Sequence, residues 1–177
     1  MIEHYKIIGT KLSFSTRKLT VNDWPILKLI RLEALTLHPN FFSPSSDEFK
    51  FTEADWKERL NNSDGANFGL FNEKNEIIGL TGIFRDRENR EQAWMVASFL
   101  KPDYRRRGLT KHLYEARIQW AKEQNGINLL IVHHREDNEI SRKAHQKFNF
   151  QFVKKHPPTD WPNGEIVPYD EYNLKIK

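Results

Sequence analysis

The junction between an apolar run and a helix constrains the fold of this chain more than any other feature. AWMVASFLK (93–101) is nearly all apolar and stops at Pro102, which predicts a strand buried on both faces. DYRRRGLT (103–110) then turns directly into a segment with apolar residues at helical spacing, namely Leu109, Leu113, Ala116 and Trp120. A strand, a basic turn with a glycine and a helix, in that order, predict a mixed α/β fold.

The basic turn also predicts a binding site for an anion. A helix N-terminus carries free backbone N–H groups and the positive end of the helix dipole. Gly108 has no Cβ, so a phosphate can approach the backbone, and the three arginines before it can add charge-assisted hydrogen bonds. The alternative is an ordinary solvated arginine surface. Neither GxxxxGK[ST] nor GxGxxG is present, so two familiar nucleotide-binding patterns are excluded.

The first half of the chain predicts strands and capped helices. LSFSTRKLT (12–20) predicts a first strand, and Thr20 with Asp23 forms a capping-box pattern before a helix. Thr52 with Asp55 repeats that pattern before a short helix that ends near Asn61. HPNFFSPSSDEF (38–49) predicts a loop between the two helices. ANFGLFNEKNEIIGLTGIFRD (66–86) predicts a β-hairpin.

The second half predicts alternation of strands and helices. INLLIVHH (127–134), FQFVKK (150–155) and EYNLKIK (171–177) predict strands, and a helix is expected from about Asn138 to Lys147. HPPTDWPNGEIVPY (156–169) predicts a loop. The expected order is β-α-α-β-β-β-α-β-α-β-β. With 177 residues the chain fits a single domain (1–177), with a core of about 14–177 and a short N-terminal extension, 1–13.

Composition narrows the functional classes only slightly. The net charge of +4 fits a nucleic acid, an anionic membrane surface or a phosphorylated cofactor, and 28 basic against 24 acidic residues cannot decide between them. The absence of cysteine excludes disulfides, thiolate catalysis and cysteine zinc sites. No stretch predicts a signal peptide or a membrane span, so we expect a cytoplasmic protein without a membrane partner.

Two motifs give the chain a family resemblance. RRRGLT (105–110), preceded by FLKPDY, and NEISRKAHQKFNF (138–150) resemble the two motifs of the GNAT superfamily of acyl-CoA-dependent N-acyltransferases, [RQ]-x-x-G-x-[GA] and N-x-x-A-x-x-L-Y-x-K-x-G-F. The resemblance runs from about Phe14 to the C-terminus. It implies a central, mostly antiparallel mixed sheet with a splayed parallel strand pair and helices on both faces. Thr110, His145 and Asn149 depart from the motifs, where Gly or Ala, Tyr and Gly are usual.

The resemblance also implies a site for acetyl-CoA as co-substrate, between AWMVASFLK and INLLIVHH. Backbone groups near Phe99 and Leu100 would bind the pantetheine, and the amides of residues 106–110 the pyrophosphate, helped by arginine side chains. The cofactor-binding residues implied in this way are Phe99, Leu100, Arg105, Arg106, Arg107, Gly108, Leu109, Thr110, Asn138 and Arg142.

The implied chemistry is direct attack of an amine on the thioester, which requires a proton donor for the leaving thiolate. His145 stands where the family's tyrosine often supplies this proton, and an imidazole of ordinary pKa can donate near neutral pH. Packing or CoA binding is the alternative role for His145. Glu91, His133 and His134 are candidate proton acceptors. The adjacent His133 and His134 point to opposite faces of a strand, so we expect no metal there.

The acceptor implied is a primary amine: a small amine, an amino acid derivative or a protein amino group. The resemblance implies that the acceptor site is shaped by the loops after the first helix and before the final strand, which are HPNFFSPSSDEF (38–49) and HPPTDWPNGEIVPYDEY (156–172). In the second of these loops, Trp161 and Tyr169 beside Asp160, Glu165 and Asp170 suit a cationic amine, unless the loop is simply solvated. A non-catalytic acyl-CoA sensor and a basic nucleic-acid-binding module are the alternatives. Acidic loops would repel phosphate, so no nucleic acid partner is expected. An exposed final strand can pair with a second copy, which makes a homodimer one expectation.

Overall fold

The computed structural model describes residues 14–42 and 47–176. The N-terminal extension, the first two residues of LSFSTRKLT and the centre of the loop HPNFFSPSSDEF lie outside these residues. Within the described part, the elements follow the predicted order. They are β1 (Ser15–Lys18), α1 (Trp24–Leu37), α2 (Glu53–Leu60), β2 (Gly65–Phe71), β3 (Ile77–Arg85), β4 (Gln92–Leu100), α3 (Thr110–Glu123), β5 (Leu129–Arg135), α4 (Glu139–Lys147), β6 (Gln151–Asp160) and β7 (Ile166–Lys175).

The strands form one mixed sheet in the order β1-β2-β3-β4-β5-β7-β6. Every neighbouring pair is antiparallel except β4 and β5, which run parallel. This parallel pairing joins only residues 92–94 to residues 129–131. The rest of β4 separates from β5, so the predicted splayed pair and the predicted mixed sheet are confirmed.

A bulge in β4 accompanies the separation. Leu80 of β3 pairs with Phe99, but Gly82 pairs with Val96, so Thr81 faces two residues of β4. Ala97 lies in this bulge with a φ of +55°, a conformation that alanine adopts rarely. The Thr81 and Ser98 hydroxyl oxygens are 3.1 Å apart. Bulges bend a strand and increase its local twist, which is the change that turns β4 away from β5.

Helices cover both faces of the sheet, as expected. On one face, α3 buries Tyr114 and Trp120 in a core that includes Leu130, Val132 and Tyr172. On the other face, α1 and α2 bury Ile30 and Trp56 against Phe71, Leu80 and Phe99. Among the described residues, no helix has both the length and the apolar character needed to cross a membrane.

Two expectations about strands were wrong. β4 is not buried on both faces, because Ala93 and Met95 are buried while Val96 is 39% exposed. Val96 lies on the face of β4 that borders a large cavity. The segment 156–169 is mostly strand rather than loop, with a turn of five residues, 161–165, between β6 and β7. Its prolines indicated a loop, yet an edge strand tolerates proline because an outward N–H has no partner to lose.

The sheet edge next to β7 is formed by β6 and not by the final strand, which lies between β5 and β6. Pro157 and Pro158 interrupt the register of β6 with β7. Prolines on an edge strand remove donors that a second copy would need for strand pairing. The final strand is therefore not the exposed edge on which the homodimer expectation was based. The homodimer itself stays a prediction.

The contacts at the start of α1 support a prediction about how stability depends on pH. The Arg17 guanidinium donates two hydrogen bonds of 2.8 Å to the Asp23 carboxylate, which also accepts one from the Thr20 amide at 2.8 Å. The bond from Arg17 lowers the pKa of Asp23 from 3.8 to about 2. The stabilisation is therefore complete above about pH 4 and is lost as the pH falls through 2.

We expect Asp23→Asn to reduce the loss of stability between pH 4 and pH 2, because asparagine cannot titrate. Urea unfolding of both proteins at half-unit steps across this range measures the effect. Equal slopes of unfolding free energy against pH would show that Asp23 is not responsible.

Candidate functional site

The junction before α3 presents a row of backbone amides. α3 begins at Thr110 with no side-chain cap from the part of the chain that the structure describes, and Arg106 and Gly108 have positive φ values of 60° and 75°. The amides of residues 106–110 have no hydrogen-bond acceptor among the described residues, whereas those of Lys111 and His112 already bond to Gly108 and Leu109. A Cβ on Gly108 would meet no atom of residues 14–42 or 47–176 within 4 Å. The turn therefore exposes several free donors beside open space, which suits an anion.

The three arginines of the turn do not act alike. Arg105 is turned inward, where its Nε donates to the Leu100 carbonyl at 2.9 Å and its Nη2 lies 2.7 Å from His38 Nε2. These contacts hold the turn against the end of β4. Because the Arg105 side chain is already engaged in them, its geometry does not fit the predicted role in phosphate binding. Arg106 and Arg107 are exposed, and the Arg107 guanidinium lies 5.3 Å from the Tyr104 ring centre.

A small cavity of about 110 Å³ lies where β4 and β5 separate. Residues 95–98 of β4 and 132–134 of β5 line it, together with Arg117 of α3 and with Asn138, Ser141 and His145 at α4. Asn138 caps α4, since its side chain accepts from the Ser141 amide at 3.1 Å. Arg142 lines neither this cavity nor the larger one described below, and it pairs with Glu139 on its own helix.

His145 forms a hydrogen bond with Tyr114, a residue that no sequence motif singled out. The Tyr114 hydroxyl oxygen lies 2.6 Å from His145 Nδ1, and both residues are buried. His145 Nε2 is buried without a partner among the described residues. Tyr114 stacks on Phe148 with ring centres 4.1 Å apart. No sequence signal separated this tyrosine from the other apolar-face residues of α3.

Burial sets the protonation of this pair. It lowers the pKa of His145 from 6.5 to about 3, with further lowering from the charges of His134 and Arg117. Burial also raises the pKa of Tyr114 to about 12. His145 is therefore a neutral imidazole at pH 7. The imidazolium donor expected from an ordinary histidine pKa does not fit, and any proton must come from a neutral N–H or through Tyr114.

Arg117 places a buried positive charge at the same cavity. Its side chain is fully buried, its Nε donates to the Leu113 carbonyl at 3.0 Å, and its Nη2 has no partner among the described residues. Burial lowers its pKa from 12.5 to about 10, so it remains a cation at neutral pH. A buried charge is costly unless an opposite charge compensates it. The cavity thus favours negative charge near Arg117.

A larger cavity of about 980 Å³ includes both segments expected to shape the acceptor site. It is lined by Phe41 and Phe42, which follow α1, and by residues 159–161, at the end of β6 and the start of the β6–β7 turn. Its charged lining consists of four arginines and three carboxylates, namely Arg31, Arg59, Arg85, Arg87, Glu48, Asp64 and Asp160. Arg31 and Arg59 both donate to the buried Glu48 carboxylate, at 2.8–2.9 Å.

The acidic groups expected to attract a cationic amine are mostly placed elsewhere. Of the three, only Asp160 lines the larger cavity. Glu165 pairs with Arg135, and Asp170 is buried opposite His134 on the other face of the sheet. Alternation along β7 sends Asp170 and Glu171 to opposite faces, so closeness in sequence did not mean closeness in space.

The three candidate proton acceptors also separate. Glu91 precedes β4 at the end far from the bulge, accepts from the Asn128 amide group at 3.1 Å, and lines neither cavity. His133 and His134 line both cavities. The His134 side chain is buried with its ring centre 5.0 Å from that of His145, whereas the His133 side chain lies on the face of the sheet that also carries Trp94 of β4.

Comparisons with known proteins agree with this geometry. A sequence profile described as the acetyltransferase (GNAT) family matches residues 31–150, more than half of the chain. The ribosomal-protein-S5-alanine acetyltransferase of Vibrio fischeri has a similar fold, with a TM-score of 0.79, 15% identity and coverage of 97% of each chain. No curated protein matches the sequence.

Two further solved structures of similar fold hold a cofactor. RimL, a ribosomal L7/L12 alpha-N-protein acetyltransferase, contains coenzyme A; it is 14% identical, with a TM-score of 0.76 and coverage of 98% of each chain. The yncA protein of Salmonella typhimurium contains acetyl-CoA and is 15% identical, with a TM-score of 0.76 and coverage of 93% of this chain and 94% of that chain.

Proposed function

We propose that this chain, which belongs to the acetyltransferase (GNAT) family, transfers an acetyl group from acetyl-CoA to a primary amine by direct attack. The observation that carries the proposal is the row of free amides at residues 106–110, on the turn that leads from the splayed strand β4 into α3. The acetyl-CoA complex of one protein with a similar fold supports the choice of co-substrate. Direct attack of this kind requires no metal ion. The chain has only to bind the two substrates, orient them and transfer protons.

The cofactor would lie along the gap between β4 and β5. Its pyrophosphate would accept hydrogen bonds from residues 106–110, with Arg106 and Arg107 adding positive charge from the surface. Backbone groups near Phe99 and Leu100 would meet the pantetheine, because no strand of the described residues pairs with β4 on that side beyond residue 94. Asn138 would act mainly by holding α4 in place.

Departure of the thiolate would be assisted by the buried pair. With its proton on Nε2, neutral His145 would donate to the leaving sulfur as the C–S bond breaks, while the Tyr114 hydroxyl passes its proton to Nδ1. The amine would lose one proton as the amide bond forms, and that proton, carried through water, would restore the Tyr114 hydroxyl. The proton gained by the sulfur is thereby balanced by the proton lost from the amine. Arg117 would stabilise the negative charge that develops before the proton arrives.

The acceptor would enter from the larger cavity. Its four arginines outnumber its three carboxylates, which favours an amine that also carries a carboxylate over a polyamine. Amino acid derivatives and peptides with acidic residues near the amino terminus have this chemistry. Protein amino groups fit as well, since a neighbour of similar fold is named for acetylation of a ribosomal protein.

An amine panel with acetyl-CoA tests the function through release of free CoA. The panel should contain matched pairs, such as amino acids with their amides and acidic with basic peptides. We expect turnover with at least one amine and faster turnover for the carboxylate member of each pair. Binding of acetyl-CoA without turnover on any amine would instead support the sensor, and salt-sensitive binding of a DNA oligomer without CoA binding would support the nucleic-acid module.

A further inference from the structure

Three neighbouring strands bring two histidines and a glutamate together on the face that carries the larger cavity. His133 of β5 lies directly opposite Glu171 of β7, and His156 reaches the same carboxylate from β6. His133 Nε2 is 3.1 Å and His156 Nε2 is 2.7 Å from Glu171 Oε2. One side-chain ligand atom from each residue lies within 4.8 Å of the other two. We call these three residues the His-His-Glu cluster.

We propose that the His-His-Glu cluster binds a divalent transition metal, with Zn²⁺ as the best fit. Two imidazole nitrogens and one carboxylate oxygen form a ligand set that zinc uses in sites with an open fourth position. Bond lengths of about 2.0–2.1 Å place tetrahedral ligand atoms roughly 3.3 Å apart. Two of the three separations already lie near this value, so small side-chain rotations suffice.

The two imidazole rings can present the unprotonated nitrogen atoms that a metal ion requires. Each imidazole presents Nε2 to the carboxylate, and moving its proton to Nδ1 frees the Nε2 lone pair without changing the ring charge. Glu171 retains a second oxygen, Oε1, for the ion or for a remaining donor. Lys154 Nζ is 3.9 Å from Glu171 Oε2 and is largely exposed, so it can swing away as the ion enters.

The cluster is also held in place by its surroundings. The Tyr169 ring stacks on His156 with centres 4.3 Å apart and planes within 8°. The Trp94 ring meets His133 at 4.7 Å in an edge-on arrangement. The ligand side chains are only 14–29% exposed. Restricted rings reduce the entropy lost on binding, which favours a preformed site.

The His-His-Glu cluster differs from the metal arrangement considered from the sequence. Adjacent His133 and His134 cannot share one ion, and the structure indeed buries the His134 side chain away from Glu171. The partners of His133 are instead His156 and Glu171, which lie 23 and 38 positions later in the sequence. Because His133 also lines the larger cavity, an ion would lie in the wall of that cavity.

Titration of the metal-stripped full chain with Zn²⁺ in a calorimeter, and with Co²⁺ followed by visible absorption, tests the proposal. We expect one ion per chain with affinity on the order of micromolar or tighter, and Co²⁺ bands typical of tetrahedral coordination. His156→Gln and Glu171→Gln should each weaken binding by at least about 100-fold, since even loss of an outer-shell partner costs 10–100-fold. His112→Gln, on α3, is the matched control and should bind like the unaltered chain.

Circular dichroism of each variant without metal separates loss of the site from loss of the fold. Absence of one-to-one binding by the unaltered chain would overturn the proposal. So would equal affinity in folded His156→Gln, Glu171→Gln and unaltered proteins, because the ion would then lie elsewhere. These readouts do not depend on acetyl transfer, so the metal site and the proposed function can fail independently.

Discussion

Replacing Gly108 with alanine should weaken CoA binding by about tenfold or more. Gly108 has a φ of +75°, and a left-handed conformation costs an alanine roughly 1–2 kcal/mol. Relief of that strain would rotate the neighbouring amides away from their common direction. The added methyl group would also occupy the open space beside the turn, where the pyrophosphate is proposed to lie. Calorimetric titration with CoA measures the change.

Gly126→Ala is a matched control for this experiment. Gly126 has a φ of +87°, and a Cβ there would also meet none of the described atoms within 4 Å, so the conformational strain is similar. It lies beyond the C-terminal end of α3 and not at the N-terminal turn. Both variants should lose comparable stability, but only Gly108→Ala should lose affinity. If the two variants bind CoA with equal affinity, the backbone amides of residues 106–110 do not form the phosphate site.

Replacing His145 with phenylalanine should lower turnover by about 10²–10⁴-fold while CoA affinity stays nearly unchanged. This range is typical for loss of a positioned proton donor. Phenylalanine keeps the buried ring volume but removes the Nε2–H and the hydrogen bond to Tyr114. Steady-state rates with the best amine and calorimetry with CoA separate the two effects. Unchanged turnover in a folded variant would end the proposed role of His145.

The buried pair also predicts a pH profile and a second variant. Because burial lowers the pKa of His145 to about 3, its titration should not appear in the rate between pH 5 and pH 9. Tyr114→Phe removes the hydroxyl that would reprotonate Nδ1, and it should reduce turnover less than His145→Phe, since Nε2–H can still reach the sulfur. A rate that falls as the pH rises through about 6.5 in the unaltered protein, and that loses this dependence in His145→Phe, would contradict a neutral donor.

Local patterns predicted the elements well because local physics controls them. Thr52 and Asp55 exchange hydrogen bonds at the start of α2 as the capping pattern required, and Asn138 caps α4. The turn at Arg106 and Gly108 precedes α3 at the expected place. Organisation as a single domain, location in the cytoplasm and a homodimer stay predictions.

Contacts between distant elements could not be predicted in the same way. Tyr114 and His145 are 31 residues apart and meet only because α3 and α4 pack against the same face of the sheet. The bulge at Ala97 depends on the register with β3, which no pattern within β4 specifies. Strand pairing likewise decided that His133 meets Glu171 and that Asp170 faces the other way.

The sequence by itself determined the order of helices and strands, the helix caps and the basic glycine turn, because each depends on residues within a few positions of one another. Only the tertiary structure decided the protonation of His145, the buried charge of Arg117 and the grouping of His133, His156 and Glu171. The reason is physical. Desolvation and side-chain convergence arise when separate elements pack together, and neither exists in an isolated stretch of chain.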